Sequence, residues 1–323
     1  MTSVAATAVS LSTPGLWLTA VERGVMLAGL AISLGGLAGR GLSKQYKGDR
    51  PGPLPDPWAV RGALLGAVAC AALLITAEVG PGLAASLARP APDGLRSGGT
   101  AEIAAIELVL FAVAAVVLRL RRSGLGTLLL CGVVLAEGIR SHPEAIIPAA
   151  GAFVACCHIF PAILWAGMLV YAIRAALAWR GDPEAARGIV RLYATAAGWL
   201  FALVIITGVV SALVVLPIGH LGSALTTTYG AFLIAKVALV AVAAGLAMAG
   251  RSRLRRDYGA GAGPTLATRL EVGALAAVLA VTGALTVLTP PAGPAHGSSG
   301  PPAPTSMQHP GAAGSRLTSA KTG

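Results

Sequence analysis

Residues 229–250 read YGAFLIAKVALVAVAAGLAMAG, an apolar run in which Lys236 is the only charged residue. A helix of about 20 such residues is long enough to cross the hydrocarbon core of a bilayer. His158 is similarly placed in a second apolar run, FVACCHIFPAILWAGML, residues 153–169. Because an ionisable group at membrane depth costs free energy unless it is paired or wetted, both residues are candidates for a functional site.

The composition of the whole chain is that of an integral membrane protein. Of its 323 residues, 55% are hydrophobic and 11% are charged, whereas about 25% of the residues of soluble domains are charged. Eight apolar runs are long enough to span a bilayer: residues 16–39, 58–80, 101–119, 124–141, 149–173, 192–217, 229–250 and 268–289. Because the runs are continuous rather than alternating, they predict an all-α bundle of eight transmembrane helices within residues 1–291.

The positive charges predict the orientation of this bundle. The net charge is +11, and 17 of the 24 Lys and Arg residues lie in or beside four alternate connections, near residues 40–61, 119–122, 174–191 and 251–269. By the positive-inside rule these connections are cytoplasmic, so both termini are predicted to be extracytoplasmic, with the chain in the cytoplasmic membrane. The same distribution indicates that the positive charge of the protein faces a lipid bilayer and not a nucleic acid. Residues 292–323 are rich in Pro, Gly and Ser and predict a disordered external tail.

The ionisable residues inside the predicted spans gather towards the outer side. Counted from the cytoplasmic ends at 1.5 Å per residue, four of them lie about 18 to 24 Å above the inner surface: Glu107, Glu137, His158 and Lys236. Seven more lie slightly further out: Glu22, Arg23, Glu78, Glu102, Arg140, His142 and Glu144. This layer predicts a pocket that opens to the outside. Glu78, Glu107 and Glu137 are predicted to form the supporting polar layer of the pocket.

Each of these residues has a functional and a structural interpretation. His158 is a candidate metal or haem ligand, or a buried histidine bonded to a neighbouring carbonyl. Lys236 neutralises an anionic ligand, pairs with Glu107 or Glu137, or extends its amine towards the outer interface. His142, in the segment GIRSHPEA, is a ligand or an interfacial loop residue.

Other sequence features point to packing rather than to chemistry. The four cysteines lie in apolar segments without CxxC spacing, so they indicate buried thiols. Gly35 and Gly39 in the segment LGGLAG form a small-residue surface that lets helices approach closely. The sequence contains no HExxH, GxSxG or phosphate-binding glycine loop. We therefore expect a transport or metal-binding protein rather than an enzyme.

Four stretches within residues 140–291 resemble the copper resistance protein D (CopD) family of bacterial membrane proteins. They are SHPEA (141–145), HIFPAILWAGML (158–169), the segment from RLYATAAG to RSRLR (191–255) and TRLEVGALAAVLAVTGALTVLTPP (268–291). The resemblance implies that the family's characteristic positions correspond to His142, His158, Trp165, Gly167, Tyr229, Gly230 and Lys236. It implies metal ligation by His142 and His158, and cofactor or ligand binding by Lys236, Tyr229 and Trp165.

The resemblance implies copper transport, copper acquisition or copper tolerance, with copper delivered by a periplasmic or extracellular copper-binding protein. Two alternatives stay open. The histidine and lysine also resemble those of HemJ-type protoporphyrinogen oxidases, which implies a haem-binding redox protein with His158 as an axial ligand. The third possibility is a non-catalytic membrane partner that docks a copper chaperone.

Overall fold

Every regular element in the part of the chain that the structure describes is a helix. The computed structural model describes residues 14–46, 52–79, 100–141, 149–215, 227–256, 273–274, 277–278 and 280–285. All of these residues belong to one unit, Met1–Pro291. The predicted tail at 292–323 lies outside the described residues, and the extracytoplasmic position of the termini stays a prediction.

The helices follow the predicted spans closely. The first span is one continuous helix in three parts, α1 (Pro14–Leu30), a π-helical turn (Ala31–Gly35) and α2 (Gly36–Ser43). It is followed by α3 (Ala59–Val79), α4 (Thr100–Arg119), α5 (Ser123–Ile139), α6 (Ala150–Ala178), α7 (Pro183–Val215) and α8 (Thr228–Arg256). In the eighth predicted span, residues 280–285 are helical.

The lengths and surfaces of these helices suit a bilayer. Five segments are long and apolar enough to cross a membrane: Trp17–Ser43, Ala59–Ala77, Ala101–Arg119, Ala150–Ala178 and Pro183–Leu213. Two shorter apolar helices, Ser123–Ile139 and Gly230–Leu246, coincide with two further predicted spans. Large apolar side chains such as Val68, Ile75 and Trp199 are exposed on the outside of the bundle, as expected for a surface in contact with lipid. The prediction of an all-helical, multi-pass membrane protein is thereby confirmed.

Helix α7 begins nine residues before the predicted span, at Pro183 rather than at residue 192. The Asp182 carboxylate accepts hydrogen bonds from the backbone N–H groups of Glu184 and Ala185, both at 3.0 Å. Asp182 therefore caps the helix, and Pro183 occupies the first helical position, where its missing N–H costs nothing. The additional turns are anchored by the buried side chains of Ala185 and Ile189.

Helix α6 lies centrally and packs against the first helix, α5 and α7. Among its residues, Ile163 and Tyr171 are fully buried. At the crossing with the first helix, a Cβ atom on Gly35 would lie 2.5 Å from the Cα of Gly167. A Cβ on Gly39 would lie 2.9 Å from the Cβ of Tyr171. As predicted, these small residues allow two helix backbones to approach within contact distance.

The loop at residues 52–58 is attached to the predicted cytoplasmic end of α6. The Tyr171 hydroxyl donates a hydrogen bond to the carbonyl of Pro55 (3.3 Å), and Nη1 of Arg174 donates to the carbonyl of Asp56 (2.7 Å). The Arg174 guanidinium also lies 3.5 Å from the centroid of the Trp58 ring, a cation–π contact. These three contacts fix the connection between the first helix and α3.

Candidate functional site

His158 lies on α6 and turns its imidazole towards α7. Its Nδ1 atom is 3.2 Å from the backbone carbonyl oxygen of Val204 and 3.2 Å from the hydroxyl of Thr207. The side chain is partly buried. Gly208 leaves room for the ring, because a Cβ there would lie 3.0 Å from Cε1 and 3.4 Å from Nδ1.

The hydrogen-bond partners of Nδ1 determine which nitrogen of the ring carries the hydrogen. A carbonyl oxygen can only accept, so Nδ1 must carry the hydrogen in order to bond to Val204. The Thr207 hydroxyl donates its own hydrogen to the carbonyl of Leu203 at 2.6 Å, which leaves its oxygen as an acceptor. A neutral ring then carries its lone pair on Nε2. Metal-ligating histidines have this arrangement, in which the second nitrogen donates to a protein acceptor.

Lys236 lies on α8 and is partly buried. Its ammonium is close enough to act electrostatically on His158. In the part of the chain that the structure describes, no carboxylate lies within ion-pair distance of this amine. Glu107 and Glu137, which the sequence offered as partners of Lys236, contact a different cation, Arg140.

The structure describes some of the other residues named by the resemblance, and the rest are outside the described residues. Trp165 is buried between α6 and α7, where its ring meets that of Phe201 edge to face with centroids 5.4 Å apart. Gly230 donates its backbone N–H to the hydroxyl of Thr227 at 3.1 Å, which caps the start of α8. The backbone of Tyr229 belongs to α8, its side chain is outside the description, and the whole of His142 is outside it.

Arg140, directly after the last residue of α5, contacts both Glu107 and Glu137. Its Nη2 donates to both carboxylate oxygens of Glu107, at 3.1 and 3.2 Å, and also contacts the carboxylate of Glu137. The Glu107 side chain is fully buried, and those of Glu137 and Arg140 are 6% and 9% exposed. The spacing of Glu137 and Arg140, three residues apart along a helix, is the sequence signal that predicts this pair. The side chain of Glu78 lies outside the description.

A further buried charge on α1 borders this group. Arg23 interacts electrostatically with Arg140, Glu137 and Glu107, and it is 5% exposed. Its neighbour Glu22 is 9% exposed and accepts a hydrogen bond of 2.8 Å from the Thr76 hydroxyl of α3. We refer to four side chains as the arginine–carboxylate cluster: Arg23, Glu107, Glu137 and Arg140. The sequence placed Arg23, Arg140 and Glu22 slightly further out in the same polar layer, but they were not among the predicted site residues.

The His158 region and the arginine–carboxylate cluster lie on different sides of α6. Cys156, two residues before His158, points towards α5, where its thiol is 3.6 Å from the carbonyl oxygen of Val134. Two residues correspond to a rotation of about 200° around a helix, so His158 points away from α5 and towards α7. We predicted a single pocket containing both sets of residues, and in the described residues their contacts form two groups.

No group of three or more His, Cys, Asp or Glu side chains in the described ranges could hold a metal ion. Within these ranges, His158 therefore belongs to no such group.

Comparison with known proteins gives one match. No curated protein and no solved structure matches the chain. Residues 187–288 match the family model for copper resistance protein D. The matched segment includes Val204, Thr207 and Lys236, which surround His158, and it confirms the predicted resemblance to the CopD family over this part of the chain.

Proposed function

We propose that this protein handles copper at the cytoplasmic membrane, in transport, acquisition or tolerance, with His158 as a copper ligand. The observation that supports the proposal most directly is the hydrogen bonding of Nδ1, which leaves the Nε2 lone pair of a neutral imidazole available to a metal. Imidazole suits copper(II) well. The match to the copper resistance protein D model, which covers the partners of His158 on α7 and α8, supports copper rather than another metal.

The proposed site takes copper from the extracytoplasmic side. The charge distribution predicts that the outer part of α6 faces that side, and His158 lies eight residues after the start of α6 at Ala150. A copper-binding protein outside the membrane would supply the ion. His142 is the proposed second ligand, and Tyr229 and Trp165 are the proposed neighbours of the bound ion or ligand.

Copper binding by the purified protein tests the proposal. We would compare wild type with His158→Ala and with a matched control, His309→Ala, which replaces a histidine in the predicted tail. We expect wild type and His309→Ala to bind copper(II) with nitrogen hyperfine structure in the electron paramagnetic resonance spectrum. His158→Ala should bind at least about tenfold more weakly, since it loses a ligand. Equal affinity and equal spectra in all three proteins would refute the assignment of His158.

A second candidate function is haem binding, and a specific observation favours it. The imidazole of His158 is oriented by its hydrogen bonds, and the ammonium of Lys236 acts on it electrostatically. In a haem protein the imidazole would bind the iron, and the ammonium would face a propionate. Iron in the metal analysis, together with a Soret absorption band that disappears in His158→Ala, would establish this function instead of copper binding.

Growth on copper separates both candidates from a docking role. In a strain that depends on this protein for copper tolerance, we expect the double variant His158→Ala, Lys236→Ala to lose tolerance. Retained tolerance in the double variant, with loss of tolerance after changes to external loops, would indicate docking of a copper chaperone.

A further inference from the structure

Two arginines meet over one tryptophan ring at the predicted cytoplasmic end of the bundle. The guanidinium carbon of Arg174, on α6, lies 3.5 Å from the centroid of the Trp58 ring, and that of Arg61, on α3, lies 5.5 Å from it. All three residues precede residue 187, where the match to the CopD model begins. We infer that they bind the phosphate headgroup of an anionic membrane lipid.

The charge of this group is the first argument. Within the residues that the structure describes, neither Arg61 nor Arg174 lies within ion-pair distance of a carboxylate. The two arginines interact electrostatically with each other, and the nearby Asp56 also acts on Arg174. Two guanidinium groups and one carboxylate leave one excess positive charge. Basic pockets of this kind beside membrane helices bind anionic headgroups.

Unused hydrogen-bond donors are the second argument. In the described ranges, the one hydrogen bond of the Arg174 side chain runs from Nη1 to the carbonyl of Asp56 at 2.7 Å. The Arg61 side chain is exposed and has no hydrogen bond to these same ranges. A guanidinium group has five N–H donors, and pairs of these donors match the oxygens of a phosphate. Both arginines therefore have donors left for a headgroup.

The backbone that carries the ring is held in an unusual conformation, which is the third argument. Trp58 has a φ of 57°, in the left-handed region that residues with a bulky side chain rarely adopt. Pro57 is buried, and its carbonyl oxygen lies so close to Gly36 that a Cβ atom there would collide with it. The Trp58 carbonyl accepts a hydrogen bond from the N–H of Gly62 at 2.9 Å. Strained backbone of this kind persists where the surroundings hold it, and it occurs often in ligand-binding sites.

The surface of α3 next to Arg61 favours a lipid over a free anion. Leu64, Leu65 and Val68 follow Arg61 by three, four and seven residues, a spacing that places all four side chains on one face of the helix. The three apolar side chains are exposed. An apolar stripe thus runs from the guanidinium along the helix, in the way that acyl chains run from a headgroup into the bilayer.

Lipid binding by the purified protein in detergent tests the inference. Native mass spectrometry would compare phosphatidylglycerol with phosphatidylcholine of the same acyl chains, so that only the headgroup differs. We expect wild type to bind phosphatidylglycerol more tightly. Arg61→Gln should bind phosphatidylglycerol about fivefold more weakly, the typical contribution of one arginine near anionic lipid, and phosphatidylcholine as before. Arg191→Gln makes the same charge change at an exposed position of α7 and should bind both lipids like wild type.

Trp58→Leu tests the arrangement separately from the charge. Both arginines remain, but they lose the ring over which they lie, so we expect phosphatidylglycerol to bind at least about twofold more weakly. Trp199→Leu, which removes an exposed ring on α7, is the matched control and should bind like wild type.

Three results would overturn the inference. Equal affinities of wild type for the two lipids would show that the headgroup charge is not recognised. An equal loss in Arg61→Gln and Arg191→Gln would show a dependence on overall charge rather than on this site. Loss of phosphatidylglycerol binding in the presence of an equal concentration of inorganic phosphate would indicate a site for the free anion.

Discussion

At the scale of single residues, the orientation of the His158 ring determines what the residue can bind. Two acceptors on α7 hold Nδ1, so Nε2 is the nitrogen that is left to bind a partner, and its direction is fixed. The sequence predicted a histidine at this depth and left open whether it is a ligand or a buried residue bonded to a carbonyl. The structure contains the carbonyl bond, and that bond also prepares the ring for ligation.

The Thr207 hydroxyl contributes to this orientation, which gives a first residue-scale prediction. Thr207→Val keeps the shape of the side chain and removes one acceptor of Nδ1. We expect copper(II) affinity to fall about tenfold, the typical effect of losing a partner of a ligating histidine. Copper titration followed by electron paramagnetic resonance measures it. Thr195→Val, on the same helix and exposed, should bind like wild type, and unchanged affinity in Thr207→Val would contradict the role of the hydroxyl.

Gly208 gives a second residue-scale prediction. In Gly208→Ala the new methyl group would stand 3.0 Å from Cε1 of His158, closer than ordinary van der Waals contact, so the ring must move. We expect weaker copper binding and an altered spectrum of the bound ion. Gly245→Ala is the control, because a Cβ at Gly245 meets nothing within 4 Å. Identical spectra for the two variants would show that the ring tolerates the methyl group.

At the scale of helices, small residues determine how closely α6 approaches the first helix. The apolar runs predicted where the helices are, because each run must satisfy its backbone hydrogen bonds internally in lipid. They did not predict the early start of α7, although Asp182 and Pro183 carry a recognisable start signal. The π-helical turn at Ala31–Gly35 has no comparable signal in local sequence, since it depends on packing against neighbouring helices.

The crossing of α6 and the first helix gives an element-scale prediction. Gly167→Ala places a methyl group against the backbone of Ala31 and Gly35. Because backbone atoms cannot move aside as a flexible side chain can, we expect a loss of stability of about 1–3 kcal/mol and a lower melting temperature in detergent. Gly124→Ala, where a Cβ has nothing within 4 Å, should melt like wild type. Equal melting temperatures for the two variants would contradict the close approach.

At the scale of the whole molecule, the sequence predicts a height in the membrane for each polar residue but not how these residues are grouped around the bundle. Counting residues along each helix gives a height in the membrane, and all four ionisable residues were placed at a similar height. It gives no angle around the bundle, so it could not show that Glu107 and Glu137 meet Arg140 whereas His158 meets α7. That division depends on which helices are neighbours, which apolar composition does not encode.

The orientation in the membrane is a whole-molecule prediction. With the native cysteines replaced by alanine, Ser123→Cys tests the predicted cytoplasmic side and Ala149→Cys the outer side; both positions are exposed. We expect Ala149→Cys to react with an impermeant maleimide in spheroplasts, and Ser123→Cys to react only after permeabilisation, because arginines concentrate near residue 123. The reverse pattern of labelling would invert the predicted topology.

Side chains on opposite faces of α6 restrict how this helix can rotate. The thiol of Cys156 fits against Gly138, where a Cβ atom would collide with it, while the imidazole two positions later is held by α7. Because both residues belong to one helix, a rotation of α6 about its axis would disturb both contacts together. The contacts with α5 and α7 therefore resist rotation of α6 jointly, although they lie on opposite sides of the helix.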